Sequence, residues 1–130
     1  MSPNNKFPAR LRIKSRKQIE LLFENKLSLF AHPFLLKYHF TKLEGDQLAA
    51  PKFAVSVPKR AFKKAHDRNL LKRRIREAYR LHWKLYLPEM SNYEALFMFI
   101  YIGKNIADYQ EIEHGLIQVF KKLEKLNDRT

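Results

Sequence analysis

The chain's hydrophobic patterning predicts an α+β fold: an α-β-β-β-α-β-α sandwich, with helices packed on a three-to-four-stranded sheet. Three observations carry this. Helical periodicity recurs three times, in Ile19–Leu22–Phe23, in Leu71–Ile75–Ala78 and in Ile112–Leu116–Val119–Phe120–Leu123. Between the first two lie extended, aromatic-rich runs, one with strict alternation over Phe53-Ala54-Val55-Ser56-Val57. Between the last two, Ala95 to Ile102 is almost continuously apolar, as in a strand covered on both faces. With 130 residues, 45% hydrophobic and 13% aromatic, one domain spanning 1–130 with a genuine core is expected.

Residues 1–13 hold Pro3, Lys6, Pro8, Arg10 and Arg12 with little apolar periodicity. They read as a mobile basic arm able to touch phosphate; an ordinary frayed terminus accounts for them equally. Ser15-Arg16-Lys17-Gln18 fits a capping box and opens a helix over about 16–25. Leu29-Phe30 and Phe34 to Phe40 are extended, interrupted by His32-Pro33, because proline cannot donate to a ladder. Glu44 to Gln47 is a turn. In the strand 52–57, Phe53, Val55 and Val57 face one side, and Ala54 and Ser56 the other. The small residues leave room for something to lie on that face, or simply pack.

Pro58 ends the strand, and a basic loop, Lys59 to His66, follows. Asp67 is positioned to cap a helix that runs to about Tyr86 and stops before Pro88. At about 100° per residue, Arg68, Asn69, Lys72, Arg73, Arg76 and Arg80 fall on one side, and Leu71, Ile75, Ala78, His82 and Leu85 on another. Trp83 projects near the cationic side, either to stack on a base or to pack under the adjacent loop. Gly103 ends the apolar strand, and Asp108 to Glu111 starts the last helix with a cap and box.

Charge narrows the function. Lys and Arg number 26 against 13 Asp and Glu, a net charge of +13. Such an excess implies an acidic partner, of which nucleic acid is the commonest. Cations at i,i+4 on the central helix repel by roughly 0.2–0.5 kcal/mol per pair, a cost that a polyanion offsets. RNA suits the stripe better than duplex DNA, since the narrow major groove of A-form RNA admits no helix and the stripe would grip backbone and shape. No apolar run approaches the ~18 residues of a membrane span, and the N-terminus lacks a signal-peptide centre. With no cysteine, disulfides and thiolate metal sites are excluded, and a cytoplasmic protein is expected.

No catalytic set stands out. HExxH, a Gly-rich phosphate loop and a nucleophile elbow are absent. His32, His39, His66, His82 and His114 have no partners at metal-ligand spacing. Asp46, Asp67 and Asp108 sit at turn or cap positions, whereas a two-metal nuclease requires clustered carboxylates.

The stretch Lys63-Lys64-Ala65-His66-Asp67-Arg68-Asn69-Leu70-Leu71-Lys72-Arg73-Arg74-Ile75-Arg76-Glu77 resembles the protein component of bacterial ribonuclease P. The family pattern is a basic loop followed by R-N-R-hydrophobic-K-R-x-x-R-E. Val55-Ser56-Val57 with Lys59-Arg60, the length, the basicity and the element order match as well. One position departs: Leu70 stands where the family has its second Arg of R-N-R. Ile19 stands where the family usually has an aromatic.

The resemblance implies an accessory protein of an endoribonuclease. A large catalytic RNA holds the Mg²⁺ ions and performs the hydrolysis that removes the 5′ leader of precursor tRNA; the protein binds no metal alone. The partners implied are that catalytic RNA, 1:1, and precursor tRNA. The fold implied includes a left-handed β-α-β crossover. The RNA-binding surface would be Lys63, Lys64, Arg68, Asn69, Lys72, Arg73, Arg76 and Arg80. The leader would lie in a cleft of Ile19, Phe23, Phe34, Ser56 and Lys59; plain core packing accounts equally for Ile19, Phe23 and Phe34. The rival readings are a structural RNA-binding protein of the ribosome, a helix-turn-helix regulator and a self-sufficient nuclease. For the regulator, the strand at 52–57 occupies the place of the required second helix.

Overall fold

The computed structural model describes residues 9–44, 48–87, 90–91 and 93–127. Helix α1 spans Arg16–Glu24, strands β1 and β2 span Ser28–Ala31 and Phe34–Lys42, and a two-residue strand β3 covers Leu48–Ala49. Strand β4 spans Lys52–Ser56, helix α2 Ala65–Tyr86, a two-residue strand β5 Met90–Ser91, strand β6 Tyr93–Tyr101 and helix α3 Tyr109–Asn127. The main sheet has the order β1-β2-β6-β4. Strands β1, β2 and β6 are antiparallel neighbours, while β4 pairs with β6 in parallel, Ser56 opposite Ile100. A parallel pair needs a crossover, and α2 lies within it. The β3–β5 pair is a separate small ribbon that its two-residue strands gave no periodicity to reveal.

Side-chain alternation divides the sheet into two faces. Phe34, Leu36, Tyr38, Phe53, Phe97, Phe99 and Tyr101 enter the main core with Leu71, Ile75, Ala78, Tyr79 and Trp83 of α2 and Ile112, Leu116, Val119, Phe120 and Leu123 of α3. Phe53 stacks on Tyr79 at 4.1 Å, and Tyr79 meets Phe120 edge-on. The opposite face carries a smaller cluster, in which Leu22 of α1 and Ile13 cover Leu96 and Met98. Each large apolar side chain removed from water contributes roughly 1.5–3 kcal/mol. Four such residues on α2, Leu71, Ile75, Tyr79 and Trp83, outweigh the few tenths lost per like-charged pair, so the helix forms despite its charge.

Several expectations need correction. Phe34 is fully buried (0% exposed) because β2 turns it toward α3, not toward α1. The arm expected over 1–13 is seated across 9–13: a 3-10 turn at Ala9–Leu11 is followed by Arg12 bridging Phe53 in parallel, with Leu11 and Ile13 buried. Residues 1–8 lie outside the described residues, as do the 45–47 part of the expected turn and Pro88. Helix α2 begins at Ala65 with Lys64 as its N-cap, so Asp67 sits in the first turn, where its charge complements the helix dipole. The apolar stripe of α2 includes Tyr79 and Trp83, whereas Leu85 is 77% exposed and His82 half-buried. Trp83 is therefore a core residue rather than part of the cationic side. Ser15 does cap α1, accepting the Gln18 N–H, but the Gln18 side chain reaches Glu94 rather than closing the box.

Candidate nucleic-acid interface

The loop before α2 is pinned from beneath. Buried Phe62 stacks on Tyr101 at 5.6 Å, nearly parallel, which leaves Lys59, Arg60, Lys63 and Lys64 exposed. The Tyr101 hydroxyl donates to the Asn105 carbonyl and accepts the Ala107 N–H, and burial raises its pKa. Arg68 donates from Nη1 to the carbonyls of Phe62 and Lys63 at 2.8 and 2.9 Å. It braces the loop against the helix and presents Lys63 and Lys64.

Beyond Arg68, the helix turns Asn69, Arg73 and Arg76 outward as exposed residues, with Lys72 half-buried beside them. Arg80 is held by Glu77, Nη2 to Oε1 at 2.5 Å, which raises its pKa through that hydrogen bond and charge. The open stripe is therefore Asn69, Arg73 and Arg76, flanked by Lys72 and the loop lysines. Arg74 does not replace the arginine absent at Leu70, because its Nη1 donates to the Ala107 carbonyl at 2.6 Å and ties α2 to the loop before α3. That side of α2 is closed further by His82, whose Nε2 lies 2.9 Å from Glu113 of α3.

The second surface lies on the other face of the sheet. Helix α1 covers only part of it, leaving Ser56 and Ile100 half-buried and Phe23 47% exposed. Ile19 is half-buried against the small cluster and forms the floor where α1 meets the sheet. Lys59 stands exposed beyond the end of β4. Ile19 and Ser56 thus share the side of the sheet on which α1 carries Phe23; Phe34 lies on the other side, and Lys59 is exposed in the loop after β4. The cleft wall is fixed: Lys37 Nζ donates to the Phe23 carbonyl at 2.6 Å, and Asn25 Nδ2 donates to the Tyr38 carbonyl at 2.9 Å.

Sequence reasoning missed three contributors. Lys37 acts beneath Phe23, and strand parity alone places it there. Phe30 is 54% exposed on the α1 side, opposite Leu35 in register. Arg12 falls within the expected mobile arm, although the buried alternate residues Leu11 and Ile13 carry the signal of a seated, extended segment.

A family model for ribonuclease P matches residues 7–124. The chain belongs to the ribonuclease P protein family. The ribonuclease P protein component of Pseudoalteromonas atlantica is 30% identical over 125 residues, covering 93% of this chain and 92% of its own. That of Porphyromonas gingivalis is 30% identical over 109 residues, covering 81% and 77%. The solved ribonuclease P protein of Thermotoga maritima superposes with a TM-score of 0.65 at 24% identity, over 85% of this chain and 96% of that one, a likeness of fold.

Proposed function

We propose that this chain is the protein subunit of ribonuclease P, binding the catalytic RNA through the loop and α2 and the 5′ leader of precursor tRNA through the cleft beside α1. The observation that carries the reading is the division of labour between two sheet faces. One side positions Lys63, Lys64, Asn69, Lys72, Arg73 and Arg76 as an open cationic strip, with Arg68 and Arg80 held as supports. The other leaves Phe23 and Ser56 beside a half-buried apolar floor of Ile19 and Ile100, with Lys59 exposed in the loop after β4. Arginine forks and lysine point charges suit phosphates of folded RNA, whereas an exposed ring over a floor with small residues suits stacked bases of a single strand.

Chemistry belongs to the RNA in this reading. Among the described residues no group of three or more His, Asp or Glu side chains converges on a metal position. In this reading the part of the chain's own residues is to bind, orient and neutralise. No helix among the described residues is long and apolar enough to cross a membrane.

The test is reconstitution with the catalytic RNA at limiting Mg²⁺, with leader cleavage as the readout. Added protein is expected to restore cleavage, and Arg73→Glu or Arg76→Glu to weaken assembly by tenfold or more. Full assembly by Arg76→Glu would contradict the first surface. Crosslinks placing the leader far from Phe23 and Ser56 would contradict the second. Leader cleavage by protein freed of RNA would revive the self-sufficient nuclease.

A further inference from the structure

Two loops beside α2 are tied to each other through a single side chain. The basic loop 59–64 rests on Phe62, and the loop 102–108 follows β6. Tyr101, the last residue of β6, touches both. Its ring lies against the Phe62 ring at 5.6 Å and 6° from parallel, an offset stack. Its hydroxyl accepts the Ala107 N–H at 3.1 Å and donates to the Asn105 carbonyl. A phenol can do both at once, whereas a phenyl ring of the same shape can do neither.

The ties close into a circuit. From α2, Arg68 holds the Phe62 carbonyl at 2.8 Å. The Phe62 ring meets the Tyr101 ring, and the Tyr101 hydroxyl meets Ala107. The Ala107 carbonyl accepts from Arg74 at 2.6 Å, which returns the circuit to α2. Gly103 leaves the room this needs: a Cβ there would stand 2.7 Å from the Tyr101 hydroxyl oxygen and 2.8 Å from Cζ. The ring could yield to such a Cβ only by shifting off Phe62 or Ala107.

We propose that Tyr101 is a positioning residue: it couples the loop after β6 to the basic loop and so holds Lys63 and Lys64 preformed for the RNA backbone. The second half rests on the reading that this loop binds RNA. Tyr101 is buried, so it acts through Phe62 rather than by contact. Its effect is preorganisation, since a loop ordered beforehand loses less freedom when it binds.

The experiment uses the full chain and has two arms. In the first, native-state hydrogen exchange is measured for wild type and Tyr101→Phe, which keeps the stack and removes both hydroxyl bonds. The Phe62 amide, bonded to the Pro58 carbonyl at 3.1 Å, sits on the other loop. It is expected to exchange roughly tenfold faster in the variant, because local opening of that loop becomes easier. A general loss of stability would instead speed the slowest amides of α3 and leave Phe62 alone. An unchanged Phe62 rate overturns the coupling. If Tyr101→Phe folds poorly, Gly103→Ala reaches the same hydroxyl from the neighbouring backbone and is expected to act alike.

In the second arm, the catalytic RNA is titrated with wild type, Tyr101→Phe, Lys63→Gln/Lys64→Gln and the triple variant, each well below its melting temperature. Tyr101→Phe is expected to weaken binding roughly fivefold with an unchanged dependence on salt, because no charge is lost. In the background without the two lysines it should cost less than about twofold, since the groups it positions are gone. The same loss in both backgrounds overturns the positioning role. Faster Phe62 exchange together with full RNA affinity in Lys63→Gln/Lys64→Gln would reject the RNA reading of this loop and leave the coupling standing.

Discussion

Two phenylalanines of the expected leader cleft show how much one rotation about a strand or helix decides. Phe34 packs edge-on against Phe99 in the core, whereas Phe23 stands half-exposed on α1. Phe34→Ala should cost about 3–5 kcal/mol of stability, the usual loss for a buried ring, measured by urea unfolding. Phe23→Ala should cost about 1 kcal/mol or less in the same assay. In leader binding the order reverses: Phe23→Ala should weaken affinity about tenfold, in line with ~1–3 kcal/mol for a base stacked on an aromatic ring. Residue type could not separate the two, because both are phenylalanines in amphipathic segments. For β4, strict alternation did settle which residues face the core, and Phe53 and Ser56 lie on the opposite faces it predicts.

Helix α3 docks against the β1–β2 turn through Gly115. A Cβ at that position would stand 2.5 Å from the His32 carbonyl oxygen and 2.6 Å from Pro33 Cδ. Helix propensity alone favours alanine over glycine by about 1 kcal/mol. Overpacking against backbone opposes it by about 1–3 kcal/mol, so Gly115→Ala is expected to destabilise, and a raised melting temperature would refute this contact. The α2–α3 contact carries a pH signature as well. The hydrogen bond from His82 holds the Glu113 carboxyl below its ordinary pKa. A depressed carboxylate stabilises the fold above its unfolded pKa of about 4.3, and this contribution fades as pH falls through the folded value. Partly exposed, the pair is worth on the order of 0.5 kcal/mol. Glu113→Gln should therefore lower the urea midpoint near neutral pH, with the gap to wild type closing below about pH 4. The apolar side of α3 was readable because all five of its predicted stripe residues are buried. The stripe of α2 was half-readable: the β4 edge and α3 flank it, drawing in Tyr79 and Trp83 and leaving Leu85 in water.

For the molecule as a whole, the excess of 26 cations over 13 anions sets a salt dependence. RNA affinity should fall linearly with salt on logarithmic axes, by about 0.7–0.9 per phosphate neutralised. Arg73→Gln should flatten that slope by about 1, while Arg74→Gln should leave it unchanged and lower stability, because Arg74 is occupied by the Ala107 carbonyl. Filter binding across a salt series reads both. By itself the sequence determined the order of the main helices and strands, the two-faced strand β4 and the cationic helix, because periodicity and charge spacing are local properties that packing preserves. Tertiary structure alone decided which cations stay open, which phenylalanine reaches solvent, and that Tyr101 meets Phe62. Those outcomes depend on how a strand end, a helix and a loop far apart in the chain come together, and no short-range pattern encodes such a meeting.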